Sequence, residues 1–517
     1  MTTPPASEHG HAPRLAAPMT LAVYAPFGTD ATLSSFPDGE TAQVTAHPLV
    51  RNLQAVADTG VNVFALIDRV GEGTSLIEIP AGRSADLTVE SQHKLDMNLH
   101  RTLSDFVALA QRRFPASSLV LTFEGHGAGF LPDLDLKELA RLKDSGTNDY
   151  EWRESNGVQR LFHSKGPKAD KPASHMGAPI LPIGNPTLPI GNPTLPTSHM
   201  AISTWALGEG LRTSGVPKIA VIHFNNCFNM SVEVLHTVAP YAEYATGYCN
   251  YNFFTAGEAY PQVFRRAATL GACTPEQLAQ SFAAENHKVL LEAGHEPTVA
   301  GTVALSRLHG IAQKVDALSD AMLADLRDAG GQDRPLVVAR IQEAIVASQQ
   351  YDSRSDYVLA APDELTDLDS LATELQRVFA AGPVAAAAAE LRTALSGIKQ
   401  YGDDGSPWMA SDSEWNFSSK NLAMNVFLPD PLLNGMWDWR SQYYLNVNPD
   451  PSKPGVQRHI IDFLKETTWV DFLIEFHKET PFVGLLPALL PEMPVVHTKK
   501  DPRRASVPRA SKAPKAG

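Results

Sequence analysis

The chain has 517 residues, of which 43% are hydrophobic and 19% are charged, which is ordinary for a soluble globular enzyme with one or more large cores. Its formal net charge of -14 at pH 7 argues against nucleic acid as the main partner, because phosphate binding needs a clustered positive surface. Because no apolar run is long enough to cross a bilayer, a membrane is not expected as a partner either.

The two ends and the cysteines bear on the cellular compartment. Residues 1–18 are rich in Pro, Ala and His, and residues 498–517 are basic with little to bury, so a disordered arm and a disordered tail are predicted. The N-terminus lacks the charged segment followed by an apolar segment that is typical of a signal peptide. Three cysteines, Cys227, Cys249 and Cys273, are too few for a disulfide framework. We therefore expect a cytoplasmic protein.

The first third of the chain alternates between apolar strands and helices, which predicts parallel β-α-β units. Strands are predicted at 19–26, 61–68 and 118–123, helices at 48–59 and 100–113, and a hairpin at 75–90.

A long segment without regular periodicity follows, at 131–200. It is polar and contains the tandem repeat LPIGNPT at 181–187 and 188–194. A segment of this length inside a compact domain is either functional or disordered. We therefore treat it as an insertion or processing loop.

The alternation resumes after the insertion, and the second half is largely helical. Strands are predicted at 218–224 and 243–248, an isolated strand at 422–428, and helices at 201–212, 230–238, 306–329, 335–349, 366–380, 383–399 and 456–477. These elements indicate an α/β domain at 19–295, interrupted by the insertion, and a C-terminal helical region at 296–497.

His126 and Cys227 each directly follow a predicted buried strand. Reactive groups converge at the carboxyl ends of parallel strands, so on neighbouring strands His126 would activate the Cys227 thiol as a base. The helix after Cys227 would also favour a thiolate. The amides of Gly127 and Cys227 are candidates for an oxyanion hole.

His126 and Cys227 also have purely structural interpretations. Most free cysteines are buried packing residues, and a histidine among glycines can simply occupy a turn. His223 and His236 are interpreted as core or surface residues rather than as metal ligands. No Gly-x-Ser-x-Gly motif occurs, which excludes the usual α/β-hydrolase interpretation.

Several segments resemble the clostripain family of cysteine peptidases. LDMNLHRTLSDFVALAQRRFPASSLVLTFEGHGAGF resembles the segment that carries the family's histidine, and FNNCFNMSVEVLHTVAPYAEYATGY resembles the segment around its nucleophile. DLDSLATEL, LAMNVFLPDP and ETTWVDFLIEF match later blocks in the same order. The resemblance therefore extends over about residues 19–477, apart from the insertion.

This resemblance implies a caspase-like three-layer α/β/α fold with a mostly parallel central sheet, followed by the helical C-terminal region. It implies an endopeptidase with Cys227 as nucleophile and His126 as base, acting on protein or peptide substrates without a cofactor. It also implies a precursor that cuts itself between residues 131 and 200. Some relatives depend on calcium, but because the chain shows no Asp-rich ligand loop we predict no metal site.

Asn225 departs from the family pattern. Relatives that cut after Arg or Lys usually carry Asp two residues before the nucleophile and a second acidic residue after the next strand. In this chain the first position is Asn225, and the segment 246–255 contains no acidic residue. Because a cationic P1 side chain gains most from a buried carboxylate, we expect a neutral P1 residue. Glu124 and Glu258 are the residues that would reverse this expectation by supplying the carboxylate.

Two other functions stay open. The chain could be an inactive caspase-like scaffold, or a ligase or acyltransferase that uses the same Cys–His pair. If it is a peptidase, activation of a downstream effector protein by limited proteolysis is the role suggested by analogy. The oligomeric state is not predicted.

Overall fold

The structure is a computed structural model, which describes most of the two predicted regions. The described residues are 18–28, 31–35, 43–92, 95–115, 117–127, 129–134, 150–155, 158–163, 202–250, 252, 254–271, 273–294, 298–330, 333–351, 365–400, 422–428, 444 and 457–477. The predicted disordered arm and tail, and most of the insertion at 131–200, lie outside this set.

The described chain contains fifteen strands: β1 (Thr20–Pro26), β2 (Asn62–Arg69), β3 (Gly73–Ile79), β4 (Thr88–Gln92), β5 (Leu119–Glu124), β6 (Asp133–Leu134), β7 (Tyr150–Ser155), β8 (Val158–His163), β9 (Ile219–Asn225), β10 (Ala242–Tyr248), β11 (Ala300–Ala304), β12 (Leu365–Asp367), β13 (Lys399–Gln400), β14 (Asn425–Phe427) and β15 (Gln457–His459).

Its α-helices are α1 (Ala31–Ser34), α2 (Pro48–Ala57), α3 (His100–Arg113), α4 (Thr204–Ser214), α5 (Val232–Val238), α6 (Tyr260–Thr269), α7 (Pro275–Gly294), α8 (Leu308–Asp328), α9 (Arg334–Ala347), α10 (Leu368–Phe379), α11 (Pro383–Leu395), α12 (Asp462–Glu466) and α13 (Trp469–His477).

Nine strands form one central sheet, in the order β13-β11-β10-β9-β5-β1-β2-β3-β4. The five strands from β10 to β2 are parallel, and the pairs at both edges are antiparallel. The carboxyl ends of β5, β9 and β10 therefore lie side by side. This is the edge at which the sequence predicts the reactive groups.

The sheet is covered on both faces because its central strands are apolar on both sides. In β1, Leu21, Val23 and Ala25 pack into one core, whereas Ala22 and Tyr24 pack into the other. Side chains from α2, α6 and α7 complete the first core, and side chains from α3, α4, α5 and α8 belong to the second. The predicted three-layer α/β/α architecture with a mostly parallel sheet is confirmed.

Local signals explain several helix ends. Ser203 caps α4, where its hydroxyl accepts a hydrogen bond of 3.1 Å from the amide of Ala206. Gly215 ends the same helix in the left-handed conformation, with φ of 65°. Asp367 caps α10 in the same way as Ser203 caps α4, through the amides of Asp369 and Ser370.

The predicted boundary at residue 295 divides the central sheet. β11 lies beyond this boundary and pairs antiparallel with β10, with Gly301 opposite Gly247, and β13 pairs with β11. The small residues of β11 give a weak strand signal, so the sequence did not indicate a strand there. The C-terminal region is thus part of the same sheet that carries the candidate site.

Two predictions for the C-terminal region are wrong in detail. The strand at 422–428 is not isolated, because β14 pairs antiparallel with β12. The single helix at 456–477 is instead β15, α12 and α13. The break between the helices falls at Thr467, whose backbone is extended with φ of -112° and ψ of 158°. The β-branched pair Thr467-Thr468 is the local cause.

The described part of the insertion contains a hairpin of β7 and β8 that was not predicted. The sequence between these strands is Asn156-Gly157, which is the strongest short-range signal for a hairpin. Across the described ranges, no helix combines the length and apolar character needed to cross a membrane.

Candidate active site

His126 and Cys227 follow neighbouring strands at equivalent positions. β5 and β9 are parallel and adjacent, and their last paired residues are Glu124 and Asn225. His126 and Cys227 each come two residues later, so the two side chains start from the same edge of the sheet. The structure thus brings together the two loops that the sequence singled out.

Gly127 brings the two loops into direct backbone contact. A Cβ atom on Gly127 would lie 2.1 Å from the carbonyl oxygen and 2.8 Å from the nitrogen of Cys227. Real side chains do not tolerate such distances, so only glycine fits here. The predicted oxyanion residues Gly127 and Cys227 are therefore neighbours in space.

The Cys227 thiol is buried, with 3% of the residue exposed. Its sulfur donates to the carbonyl of Asn252 at 3.4 Å and accepts from the amide of the same residue at 3.3 Å. Burial raises the pKa of the thiol to about 12, although hydrogen bonds from the backbone of Asn252 and Gly127 act in the opposite direction. At neutral pH the thiol in this conformation is protonated and shielded from solvent.

The turn after Cys227 is strained. Phe228 has φ of 65°, a conformation that costs a bulky side chain about 1–3 kcal/mol. Its amide donates to Asn250 at 2.9 Å, and its carbonyl accepts from the side chain of Asn425 at 2.9 Å. The surrounding asparagines therefore hold the loop in a geometry that the chain alone would not favour.

A buried carboxyl group lies beside Asn225. The Asn225 side-chain amide donates to Glu124 Oε2 at 2.9 Å, and the Tyr260 hydroxyl donates to Glu124 Oε1. Burial raises the pKa of Glu124 to about 7, even though the hydrogen bonds from Tyr260 and Asn225 lower it. This carboxyl group thus changes charge near neutral pH.

The polar cluster continues through two more asparagines. Asn252 donates from its side chain to Asn225 Oδ1 at 2.9 Å, and Asn286 reaches the same oxygen at 3.4 Å. Asn286 also donates to the Tyr248 hydroxyl, while the Thr255 hydroxyl donates to Asn286 Oδ1 at 3.0 Å. We refer to Glu124, Asn225, Asn252, Asn286, Tyr248 and Tyr260 as the polar cluster.

The structure separates the two predicted alternative carboxylates. Glu124 belongs to the polar cluster, whereas Glu258 is exposed on the turn before α6. Sequence reasoning missed Tyr260, Asn252 and Asn286. Asn252 lies four residues after the end of β10, within the segment 246–255 in which only acidic residues were sought, so its position was a usable signal. Asn286 and Tyr260 lie within helices and carry no such signal.

The C-terminal region supports the Cys227 loop from outside the main sheet. Asn425 of β14 donates from its side chain to the carbonyls of Phe228 and Cys249, at 2.9 and 2.7 Å. The backbone amide of Asn425 donates to the carbonyl of Met230 at 2.9 Å. Glu233 of α5 accepts hydrogen bonds from Ser231, the backbone amide of Phe427 and the hydroxyl of Tyr444. The helix that follows Cys227 is thereby joined to β14.

Comparison with protein families gives one match, to the Clostripain family, over residues 197–475. The matched range covers more than half of the chain and includes Cys227, the polar-cluster residues from Asn225 onward, and β14. His126 and Glu124 lie before it. A search of curated proteins finds no significant match.

Solved structures of C11 proteases are similar at low identity. An inactive zymogen C11 protease from Parabacteroides distasonis is 12% identical, with a TM-score of 0.46 over 82% of this chain and 98% of that chain. A secreted C11 cysteine protease from Bacteroides thetaiotaomicron is 10% identical, with a TM-score of 0.47 over 82% and 96% of the two chains. The same kind of enzyme in complex with an irreversible peptide inhibitor is 14% identical, with a TM-score of 0.47 over 86% and 97%.

Proposed function

Because the chain belongs to the clostripain family of cysteine peptidases, we propose that it hydrolyses peptide bonds with Cys227 as nucleophile and His126 as general base. The proposal is supported most by the close backbone approach of Gly127 to Cys227. This approach places the His126 loop next to the Cys227 loop at the carboxyl ends of β5 and β9. Glycine at 127 is required for that approach.

In the proposed reaction, His126 takes the proton of the Cys227 thiol, and the sulfur forms a bond to the carbonyl carbon of the substrate. The carbonyl oxygen receives the electron pair and is stabilised by the amides of Gly127 and Cys227. The C–N bond then breaks, and His126 gives its proton to the leaving amine. A water molecule, deprotonated by His126, attacks the acyl carbon, the C–S bond breaks to release the carboxylic acid, and His126 returns the proton to the sulfur.

We propose that the described conformation is a precursor. A thiol with a pKa of about 12 is almost entirely protonated at neutral pH, and only the thiolate attacks a carbonyl efficiently. Activation then requires Cys227 to leave its contacts with Asn252 or to gain access to water. Self-cleavage between residues 131 and 200 is the proposed trigger, because that segment begins five residues after His126 in the chain.

The location of Glu124 bears on substrate preference. Asn225 alone brings no charge, but the carboxyl group of Glu124 is hydrogen-bonded to it. We propose that the polar cluster is the P1 pocket and that Glu124 supplies the negative charge for an Arg or Lys side chain. A cation entering the pocket would lower the pKa of Glu124 and make it fully ionised.

The test compares purified wild-type chain with Cys227→Ala on a cleaved proteome, by mass spectrometry of new peptide ends. We expect Cys227-dependent hydrolysis, with products that gain one water. Unchanged cleavage patterns would overturn the peptidase assignment to this cysteine, and products joined to added amines would indicate a transferase. In this proposal the natural substrate is a cytoplasmic effector protein activated by limited proteolysis, which the same experiment in cell extract would identify.

A further inference from the structure

Three side chains with metal-binding atoms converge away from the candidate active site. They are His236 of α5, His309 of α8 and Glu466 of α12, and their ligand atoms all lie within 4.8 Å of one another. His236 Nε2 is 3.6 Å from Glu466 Oε2. The three residues line a surface cavity of about 450 Å³. The sequence analysis interpreted His236 as a core or surface residue, because the members of this cluster are far apart along the chain.

The spacing suits a small transition-metal dication. Imidazole nitrogen and carboxylate oxygen bind Zn²⁺ at about 2.0–2.2 Å, which separates two ligands of a tetrahedral site by roughly 3.4 Å. The separation between His236 and Glu466 is already close to this value. His309 and Glu466 are exposed, so small side-chain rotations can bring the remaining atoms together. The open side of the cavity leaves room for a water molecule as fourth ligand.

The histidines are available as ligands. The His236 ring is largely buried, with 11% of its side chain exposed, and its Nε2 faces Glu466 Oε2. Within the described residues, His236 Nδ1 has no hydrogen-bond partner, so no competing bond fixes the ring. The Gln313 side chain lies 2.9 Å from His309 Nε2 and, with its amide turned, would accept the N–H of a metal-bound ring.

The composition of the cluster distinguishes it from an ordinary surface ion pair. Two imidazoles and one carboxylate are a ligand set typical of Zn²⁺. Magnesium and calcium prefer oxygen ligands and are a poor match.

We propose that His236, His309 and Glu466 form a binding site for a transition-metal dication, with Zn²⁺ as the best-matched ion. The ligands come from three separate helices. α5 begins five residues after Cys227, whereas α8 and α12 belong to the C-terminal region. A bound ion therefore joins the helix behind the nucleophile loop to the C-terminal region and stabilises their association.

The test uses full-length chain carrying Cys227→Ala, which removes the proposed self-cleavage and a thiol that could bind zinc. Protein free of affinity tags is stripped with a chelator and titrated with ZnCl₂ by calorimetry. Thermal unfolding is measured with Zn²⁺, with Mg²⁺ and without metal. We expect a zinc-binding event, a higher unfolding temperature with Zn²⁺ and no change with Mg²⁺.

Two exposed ligands provide the decisive variants, since neither supports the core. His309→Ala and Glu466→Gln should each weaken the zinc event by about 100-fold and abolish the thermal shift. Glu390→Gln is the matched control, because it removes an exposed carboxylate that pairs with Lys314 of α8 at 2.8 Å. It should bind zinc like the parent. Circular dichroism without metal establishes that each variant is folded.

Cobalt gives an independent readout, because Co²⁺ in a tetrahedral site absorbs visible light far more strongly than Co²⁺ in water. The parent should show this absorption and the His309→Ala chain should not. The proposal is overturned if His309→Ala and Glu466→Gln keep the parental zinc isotherm, which would assign the binding to other histidines, such as those at 9, 11, 175 and 199.

Discussion

Glu124 and Asn225 are the last paired residues of two neighbouring parallel strands, and the Asn225 amide donates a 2.9 Å hydrogen bond to the Glu124 carboxyl group. A carboxyl group that is missing two residues before Cys227 is therefore present on the adjacent strand, two residues before His126. The carboxyl group thus lies on the neighbouring strand, at the same edge of the sheet.

This relationship predicts that cleavage after a basic P1 residue depends on Glu124. Glu124→Gln should lower kcat/KM for Arg and Lys peptides by about 10- to 100-fold, or roughly 1.4–2.7 kcal/mol of transition-state stabilisation. Peptides with a neutral P1 residue should lose much less. Kinetics on a peptide library that varies only P1 would measure the difference.

Glu258→Gln is the matched control for that experiment. It removes an exposed carboxylate on the turn before α6, so P1 preference should stay unchanged. If the wild-type chain prefers neutral P1 residues and Glu124→Gln has no effect, then the sequence-based expectation from Asn225 holds and Glu124 is structural.

Glu124 also predicts a pH dependence of stability. Its folded-state pKa is about 7, compared with 4.5 for an ordinary glutamate, so the folded state binds the proton more tightly. The stabilising contribution is complete below pH 4.5 and is lost as the pH rises through 7, by up to about 3 kcal/mol. Glu124→Gln should remove this part of the dependence.

Urea unfolding of the two chains at pH 5 and pH 7.5, both carrying Cys227→Ala, would measure this effect. Asp367, whose pKa burial also raises to about 7, contributes equally to both chains and cancels. Parallel stability curves for the two chains would show that the Glu124 carboxyl group titrates normally.

The proposed dyad gives a direct prediction. Cys227→Ala and His126→Ala should each reduce kcat by about a thousandfold or more, because one removes the nucleophile and the other removes its base. Cys273→Ala is the control, since Cys273 is a separate buried thiol that packs with the α2, α6 and α7 face. Near-normal turnover in either dyad variant, with circular dichroism unchanged, would refute the assignment.

Self-processing should produce two fragments that stay associated, with a junction between residues 131 and 200. Cys227→Ala should remain a single chain on a denaturing gel. Once the junction is mapped, a variant that cannot be cut there should alkylate Cys227 at least about tenfold more slowly than the processed enzyme, because its thiol stays buried. Equal alkylation rates would show that cleavage does not activate the thiol.

The sequence predicted the sheet and its reactive edge because both depend on local patterns. Buried strands such as β5 and β9 are continuous apolar runs, and His126 and Cys227 directly follow them. The adjacency of β5 and β9 is not a local pattern, so the sequence left it as a condition, which the structure meets. For this reason the central part of the candidate site could be predicted from the sequence.

The polar cluster could not be predicted from the sequence in the same way. Tyr260 contacts Glu124 across 136 residues, and Asn286 reaches Asn225 across 61 residues. Such contacts depend on how α6 and α7 pack against the sheet, which periodicity does not specify. β11 was missed for a different reason, since its run of small residues has little β propensity.

Asn425 positions the Cys227 loop from outside the central sheet. Its side chain donates to the carbonyls of Phe228 and Cys249, so Asn425→Ala leaves two buried acceptors without this donor. With Phe228 already strained, the loop should relax, and kcat should fall by about 10- to 100-fold with little change in KM. The alkylation rate of Cys227 in the processed enzyme should change as well. Thr366→Val is the matched control, because it alters a buried side chain of β12 whose hydroxyl has no hydrogen-bond partner among the described residues. If both variants lose stability equally and both keep kcat, Asn425 is structural only.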